Sequence, residues 1–251
     1  MIRKWYSGTA VELAKMTDVT DDMIREKSSG EITKDYLAID ENDDVHEVED
    51  KTGTILDSAI FGEDWETTKD IERLGHIELP VPVVNIQYVR GRSPELPRLL
   101  GMTLNDFERV LYCASYVNVN DNWSEKVPLY SMNERTKYLE DHQDADISDF
   151  ILSTEAIEKI MISKHVPVAK YILHTVPVMP LCMRFIAYTD KDGKKAQGPT
   201  DLNYFAEDIF RRAKRVKRLL AIKAPEIIIL NEKRVMQEKI DAYISNGLRG
   251  C

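Results

Sequence analysis

Residues 201–245, DLNYFAEDIFRRAKRVKRLLAIKAPEIIILNEKRVMQEKIDAYIS, decide the fold because they carry its clearest helical pattern. In the first half, apolar side chains recur four and three positions apart, as on a helix with one buried face. These positions are Leu202, Ala206, Ile209, Ala213, Val216 and Leu220. The second helical run ends at Asn246-Gly247, a C-cap pair, and its apolar residues are Ile229, Met236, Ile240 and Tyr243. Because Pro225 separates the runs, we predict an antiparallel helical hairpin with arms of about 30 Å, capped by Thr200 or Asp201.

The charge of the sequence is uneven. The chain has a formal net charge of −9, yet residues 200–251 hold 11 basic and 7 acidic residues, a balance of +4 against −13 elsewhere. The first predicted arm has six basic residues and no acid within eight positions: Arg211, Arg212, Lys214, Arg215, Lys217 and Arg218. A face that only keeps a protein soluble usually mixes both signs. An interaction surface and a solvated face are therefore the two interpretations.

The rest of the sequence predicts short helices and strands between irregular segments. Three stretches rich in β-branched residues predict strands: residues 76–84, 116–119 and 171–176. Thr103 and Ser153 each predict the N-cap of a helix. Residues 120–150 and 188–199 are polar and predict irregular loops. The predicted fold class is α+β, an irregular module of short strands and helices that ends in the helical hairpin.

Several protein classes are disfavoured by what the sequence lacks. No apolar run approaches the roughly 18–20 residues of a membrane span, and no secretion signal follows the basic N-terminus, so we expect a cytoplasmic protein. Cys113, Cys182 and Cys251 are too far apart for a zinc ribbon or a disulfide framework. Glycine-rich phosphate-binding motifs are also absent from the sequence.

The nearest approach to a catalytic carboxylate cluster is Asp144-Ala145-Asp146-Ile147-Ser148-Asp149. It lacks a glycine and lies in a polar stretch, so a solvated loop is favoured over a catalytic chain that binds Mg²⁺ through Asp144, Asp146 and Asp149. His76 is expected to be packed and hydrogen-bonded, because no Ser or Cys partner stands out near it. We expect the chain alone to be no catalyst.

Five segments of the sequence share their order and spacing with one known family. They are Arg73–Leu79 (RLGHIEL), Met102–Tyr112 (MTLNDFERVLY), Thr200–Asn203 (TDLN), Arg218–Arg234 and Asn246–Gly250 (NGLRG). Together they resemble the N-terminal part of the β′ subunit of multi-subunit RNA polymerases. The strong matches cover about residues 55–117 and 171–250.

The resemblance implies a clamp module with three parts: a clamp base (residues 1–187), a lid-like loop beside the RNA–DNA hybrid (188–199) and the clamp helical hairpin (200–247). In the family, this hairpin docks the promoter-specificity factor near the upstream DNA. The positions implied to face the factor are Arg212, Arg215, Arg218, Leu230, Glu232 and Lys239. Nucleic-acid contacts are implied at Arg211, Lys214, Lys191, Lys194 and Lys195.

Two departures from the family pattern shape the expected cofactors. Bacterial members carry a four-cysteine zinc ribbon before the Gly-His-Ile-Glu-Leu block, whereas no cysteine precedes Cys113 here, so no zinc is expected. The Asn-Ala-Asp-Phe-Asp-Gly-Asp loop that holds the catalytic Mg²⁺ is absent, so we expect Mg²⁺ on another subunit. We predict a separate or truncated N-terminal piece of β′, similar to the divided polymerases of large bacteriophages.

The expected function is a non-catalytic part of a DNA-directed RNA polymerase, a nucleotidyltransferase. Its expected partners are the other β and β′ fragments, a promoter-specificity factor, the DNA template and the RNA–DNA hybrid, with no membrane. The alternative is a stand-alone module that mimics the polymerase surface and binds a specificity factor or DNA. Such a module keeps the basic arm and needs no polymerase partners.

Overall fold

The computed structural model describes one short N-terminal segment and most of the chain from residue 75 onwards. The described residues are 18–28, 30–31, 75–90, 94–142, 144–179, 185–189, 195–199 and 201–245. Thr200, Lys191, Lys194 and the predicted C-cap at Asn246-Gly247 lie outside them. The chain divides into two compact units, the first Met1–Leu79 with Thr175–Ala213 and Ala242–Cys251, the second Pro80–His174 with Lys214–Asp241.

Short strands and helices, followed by two long helices, make up the described chain. The helices are α1 (Asp21–Lys27), α2 (Glu95–Leu99), α3 (Leu104–Leu111), α4 (Met132–Asp141), α5 (Ser153–Ser163), α6 (Asp201–Ala221) and α7 (Glu226–Ser245). The strands are β1 (Gly75–Val84), β2 (Val117–Asn118), β3 (Phe150–Ile151), β4 (Ile172–Val178), β5 (Phe185–Thr189) and β6 (Lys195–Pro199). Strand β1 pairs with β4, β2 with β3 and β5 with β6. The predicted α+β class is confirmed.

The core of the second unit includes the contact between α3 and α5. Both helices place apolar residues three and four positions apart and bury that face: Phe107, Val110, Ile157, Ile160 and Met161. Thr103 caps α3 as predicted, because its Oγ1 accepts a hydrogen bond from the N–H of Asp106 at 3.1 Å. Local capping and apolar periodicity therefore agree for this helix.

Helix α4 lies where the polar composition of residues 120–150 predicted an irregular loop, so that prediction was wrong for this stretch. A capping box starts the helix. The N–H of Glu134 donates to Ser131 Oγ at 3.3 Å, and the N–H of Ser131 donates to the Glu134 carboxylate at 2.7 Å. The Ser-x-x-Glu spacing could have predicted the start of this helix. It was overlooked because the helix has no regular apolar stripe.

Helix α5 exists as predicted but begins without a serine cap. Leu152 occupies the N-cap position and makes no side-chain cap hydrogen bond. Ser153 is the first helical residue and has a left-handed backbone with φ of 62°. The predicted capping role of Ser153 was therefore wrong: a sharp backbone turn after β3 starts the helix.

Strands β5 and β6 replace both ends of the polar loop that was predicted over residues 188–199. They pair antiparallel, from Phe185 opposite Pro199 to Thr189 opposite Lys195. The loop prediction was wrong at these ends because strand pairing uses backbone groups, which a polar sequence supplies as well as an apolar one.

Helices α6 and α7 form the predicted hairpin, with 21 and 20 residues. Most of the predicted apolar seam is buried: Ala206, Ile209, Ala213, Val216, Met236, Ile240 and Tyr243. Leu220, the last predicted seam position on α6, is exposed. Arg215 and Glu232 lie equally far from the middle of the turn and meet at 3.1 Å, which shows that the arms run antiparallel there.

The turn between the arms is a Schellman motif. Lys223 has the left-handed φ of 49° that glycine usually supplies at this position. Its N–H donates to the carbonyl of Leu220 at 3.1 Å, and the N–H of Ala224 donates to that of Leu219 at 3.0 Å. Pro225 then prevents α6 from continuing. The predicted helix break is confirmed.

Candidate interaction surface on the helical hairpin

Buried polar side chains fix α7 within the second unit. Gln237 is 3% exposed, and its side-chain amide forms two hydrogen bonds with the backbone of Val84 on β1. The Val84 N–H donates to Oε1 at 2.9 Å, and Nε2 donates to the Val84 carbonyl at 2.9 Å. The amide thus acts as a neighbouring strand would, which leaves neither backbone group of Val84 unpaired.

Asp241 extends this anchor towards α3. Its Oδ1 accepts a hydrogen bond from Gln237 Nε2 at 2.7 Å, and its Oδ2 accepts one from the hydroxyl of Tyr112 at 2.6 Å. Arg90 donates to the same hydroxyl at 2.6 Å and forms an ion pair with Glu108 at 2.8 Å. This network joins residues that are far apart in the sequence and was not predicted. Its one signal was the i, i+4 spacing of Gln237 and Asp241 beside the apolar seam of α7.

Arg215 and Glu232, two of the predicted factor-facing positions, contact each other across the arms. Arg215 Nη2 lies 3.1 Å from Glu232 Oε1. The arginine side chain is exposed, whereas Glu232 is 4% exposed. The carboxylate therefore belongs to the joint between the arms, and the guanidinium lies at its solvent edge.

The basic run on α6 changes character along the helix. Arg211 and Arg212, at its start, are half-buried, and Nε of Arg211 is a buried atom without a hydrogen-bond partner in the described structure. Farther on, four basic residues are exposed: Lys214, Arg215, Lys217 and Arg218. The exposed charge therefore lies towards the turn. Lys195, a predicted nucleic-acid contact outside α6, is the first residue of β6.

Leu230 and Lys239, the other implied positions on α7, are half-buried. Leu230 packs against the buried cluster of Tyr116, Phe150 and Leu152. Around that cluster, Tyr130 and Tyr138 meet Phe150 edge-on at ring distances of 5.3 and 5.4 Å. Leu230 thus joins α7 to the aromatic residues beside α4.

Cys113 is partly buried and packs against this cluster beside Leu230 of α7. Burial raises the pKa of its thiol to about 11, an effect that the nearby cations of Lys233 and Arg234 only partly offset. A thiol with so high a pKa is a poor nucleophile at neutral pH. Cys113 is therefore a packed side chain in this surface.

The acidic segment that was considered for metal binding does not form a cluster. Asp146 accepts a hydrogen bond from the N–H of Ser148 at 2.9 Å, and Asp149 accepts one from Asn120 at 2.9 Å. Among the described residues, no group of three or more His, Cys, Asp or Glu side chains could hold a metal ion. None of the helices in residues that the structure describes is long and apolar enough to cross a membrane.

His76 is packed as predicted. It is buried, its Nδ1 lies 2.7 Å from the hydroxyl of Ser28, and its Nε2 lies 3.4 Å from Glu78. The serine partner is distant in sequence, which is why it did not stand out. Ser28 also bonds the backbone N–H and carbonyl of Gly30, so its hydroxyl is part of a turn.

A family model described as RNA polymerase Rpb1, domain 1, matches residues 129–251. This range begins just before α4 and includes α5 and the complete helical hairpin. Over these residues the chain is similar to the first domain of the RNA polymerase subunit Rpb1.

Curated relatives carry the more specific name DNA-directed RNA polymerase subunit β′. The protein from Buchnera aphidicola is 31% identical over 219 residues, that from Coxiella burnetii 31% over 218, and that from Burkholderia mallei 30% over 217. Each match covers 71% of this chain and 15% of the relative. The chain thus corresponds to a small part of those subunits, and the predicted resemblance to β′ is confirmed.

Proposed function

We propose that this chain forms part of the clamp of a DNA-directed RNA polymerase and that its helical hairpin docks a promoter-specificity factor. RNA synthesis then requires polymerase segments other than these 251 residues. In the assembled enzyme, those segments would hold the DNA template and the RNA–DNA hybrid together with this chain. The proposed location is the cytoplasm.

The exposed basic run on α6 carries this proposal. Lys214, Arg215, Lys217 and Arg218 are exposed, and no acid interrupts residues 211–218. A single-sign row attracts an oppositely charged partner over roughly a Debye length of 8–10 Å. The neighbouring arm is held by buried hydrogen bonds, so the row is presented from a fixed scaffold and little ordering is needed on binding.

We propose that this part of the polymerase holds neither Mg²⁺ nor zinc. Magnesium catalysis needs converging carboxylates, and Asp146 and Asp149 instead accept separate local hydrogen bonds. A structural zinc needs four nitrogen or sulfur ligands, whereas the three cysteines are scattered along the sequence. The catalytic Mg²⁺ of the assembled polymerase would be held by another subunit.

The test is Arg218→Glu in a polymerase reconstituted with the full chain. Arg218 is preferable to Arg212, because Arg212 is half-buried and its replacement would also disturb packing. Reversing an exposed charge that faces the factor should lower promoter-directed initiation by about tenfold or more. Elongation from a preformed DNA–RNA scaffold, which needs no specificity factor, should be unchanged.

Lys137→Glu is the matched control, since it reverses an exposed charge on α4 and should affect neither reaction. Equal losses of initiation and elongation in Arg218→Glu would contradict factor docking. The stand-alone alternative makes a different prediction: the chain would bind the specificity factor tightly by itself and would be absent from the transcribing complex.

A further inference from the structure

An open groove of about 590 Å³ lies within the second unit, beside the turn of the hairpin. One wall is the segment from Ile147 to Glu155, which includes β3 and the start of α5; the other is the end of α6 with the start of α7. Apolar side chains line both walls: Ile147, Ile151, Leu152, Leu220, Ile229 and Leu230. The volume lies within the roughly 300–1,000 Å³ of binding sites.

The groove combines a buried floor with an apolar rim that faces water. Ile151 and Leu152 are buried, whereas Ile147 is 55% and Leu220 is 37% exposed. The two exposed residues lie on opposite walls. Apolar surface on both sides of a groove favours an occupant that covers both walls at once, because that removes the surface from water.

The two walls differ in charge: Lys223 lines one and Glu155 lines the other, and the sequence next to each wall adds charges of the same sign. On α6, Lys217 lies one turn before Leu220, and Lys223 lines the groove; residues 209–225 contain no acid. On the other wall, Asp146 and Asp149 flank Ile147 and Ser148, and Glu155 lines the groove; residues 144–158 contain no Lys or Arg. The start of α7 adds one acid and one base, Glu226 and Lys233, which balance.

We propose that this groove binds an amphipathic helix from a protein partner. Its apolar stripe enters between the walls, its acidic flank faces α6, and its basic flank faces the segment 146–155. Helices bind grooves through apolar residues spaced i, i+3, i+4 and i+7, and opposite charges on the walls fix the direction in which such a helix lies. Of the positions implied to face the factor, Leu230 lines the groove, whereas Arg212, Arg215 and Arg218 do not. Ile147, on the opposite wall, is therefore the position that tests the groove separately from factor docking by the basic run.

Two other occupants fit the groove less well. A nucleic acid would bring phosphates against Glu155, which lines the groove, and towards Asp146 and Asp149 beside it in the sequence, where like charges repel. A small polar ligand is usually fixed by a few convergent buried polar groups. None of the buried side-chain polar atoms that lack a hydrogen-bond partner in the described structure belongs to a residue of the groove.

The probe is a fluorescein-labelled 18-residue helical peptide with a leucine stripe, glutamates along one flank and lysines along the other. Its binding to the full chain is followed by fluorescence anisotropy. Saturable binding is expected, and Ile147→Glu should weaken it roughly tenfold to a hundredfold by placing a charge on the apolar rim. The matched control is Ile162→Glu, because Ile162 is 59% exposed on α5 and does not line the groove. That variant should bind as the unchanged chain does.

Charge exchange tests the orientation. Lys223→Glu should weaken binding of this peptide and strengthen binding of a second peptide with lysines on both flanks. Equal effects of Ile147→Glu and Ile162→Glu would overturn the proposal, as would equal binding of a peptide with serines in place of the leucines. Displacement of a bound fluorescent oligonucleotide by unlabelled DNA but not by the peptide would also overturn it, in favour of a nucleic-acid site.

Discussion

The two arms of the hairpin differ in what their polar residues do. Towards the turn, α6 presents Lys217 and Arg218 to solvent and buries only apolar Val216, whereas its first turns also bury Asn203 and Glu207. Helix α7 instead buries Glu232, Gln237 and Asp241 among its apolar positions. These three side chains stabilise the fold, since each has a hydrogen-bond or ion-pair partner within the second unit.

This difference means that α6 exposes charged side chains near the turn, whereas α7 is held in place by buried hydrogen bonds. Near the turn, α6 buries only apolar surface, so this part is held by non-directional packing and its outer charges face solvent. An arm with buried hydrogen bonds is fixed in one position, because any shift leaves polar groups without partners. The hairpin therefore holds α7 by specific bonds and exposes charge on the part of α6 nearest the turn.

The largest effect on the free energy of unfolding is expected for Gln237→Ala, which removes the anchor of α7. It leaves the N–H and carbonyl of Val84 unpaired, and each buried unpaired group costs about 1–3 kcal/mol. The free energy of unfolding should fall by about 3 kcal/mol, measured by urea denaturation of the full chain with far-UV circular dichroism. Lys217→Ala, with the same gain in helix propensity, should change the free energy of unfolding by less than about 0.5 kcal/mol. Similar losses in both variants would contradict the distinction between the arms.

Thiol reactivity sharpens the comparison in a background with Cys182→Ser and Cys251→Ser. Cys113 beside α7, with a pKa of about 11, should react with iodoacetamide at pH 8 far more slowly than a cysteine introduced by Lys217→Cys on α6. Ionisation alone accounts for roughly a twentyfold difference, after allowance for the greater nucleophilicity of a basic thiolate. Burial should enlarge this difference by limiting access.

The pH dependence gives the matching control. The rate at Cys113 should keep rising up to about pH 11, because thiolate forms only as the pH approaches the raised pKa. The rate at residue 217 should level off near pH 9, close to the pKa of an ordinary exposed thiol. Equal rates or equal pH profiles would show that α7 does not shield Cys113.

The smallest effect is expected for the contact between the arms. Arg215→Ala leaves the buried Glu232 without one cation, but the arginine is exposed and its attraction is screened by water. A loss of about 1 kcal/mol in the free energy of unfolding is therefore expected. Arg218→Ala should cost close to nothing in the same urea denaturation, and 1 M salt should reduce the difference between the two variants. A larger loss for Arg218→Ala would mean that the end of α6 is packed rather than presented.

Helical periodicity in the sequence predicted the structure best where a helix buries one regular face. The seam of the hairpin, the break at Pro225 and the Thr103 cap all depend on residues close together in the chain, and the structure confirms them. It failed at α4, where capping rather than apolar periodicity defines the helix. It also failed at residues 188–199, where the pairing of β5 with β6 decides the conformation.

The candidate surface was predictable only in part, for the same reason. The basic run on α6 is visible in the sequence, but its division into half-buried Arg211 and Arg212 and exposed Lys217 and Arg218 depends on what packs against each turn of the helix. The pairing of Arg215 with Glu232 depends on the register of the two arms. The groove beside Ile147 needs two segments that are about 70 residues apart in the chain.

By itself, the sequence determined the family, the α+β class and the position of the helical hairpin, because motifs and helical periodicity are properties of neighbouring residues. The tertiary structure decided which polar residues are buried. Glutamine and aspartate also occupy many solvated helix positions, so the sequence does not show that Gln237 and Asp241 are buried. Their hydrogen bonds with Val84 and Tyr112, which hold α7 in place, form only in the tertiary structure. A buried polar group is stabilised by the partner that it meets, and that partner is distant in the chain.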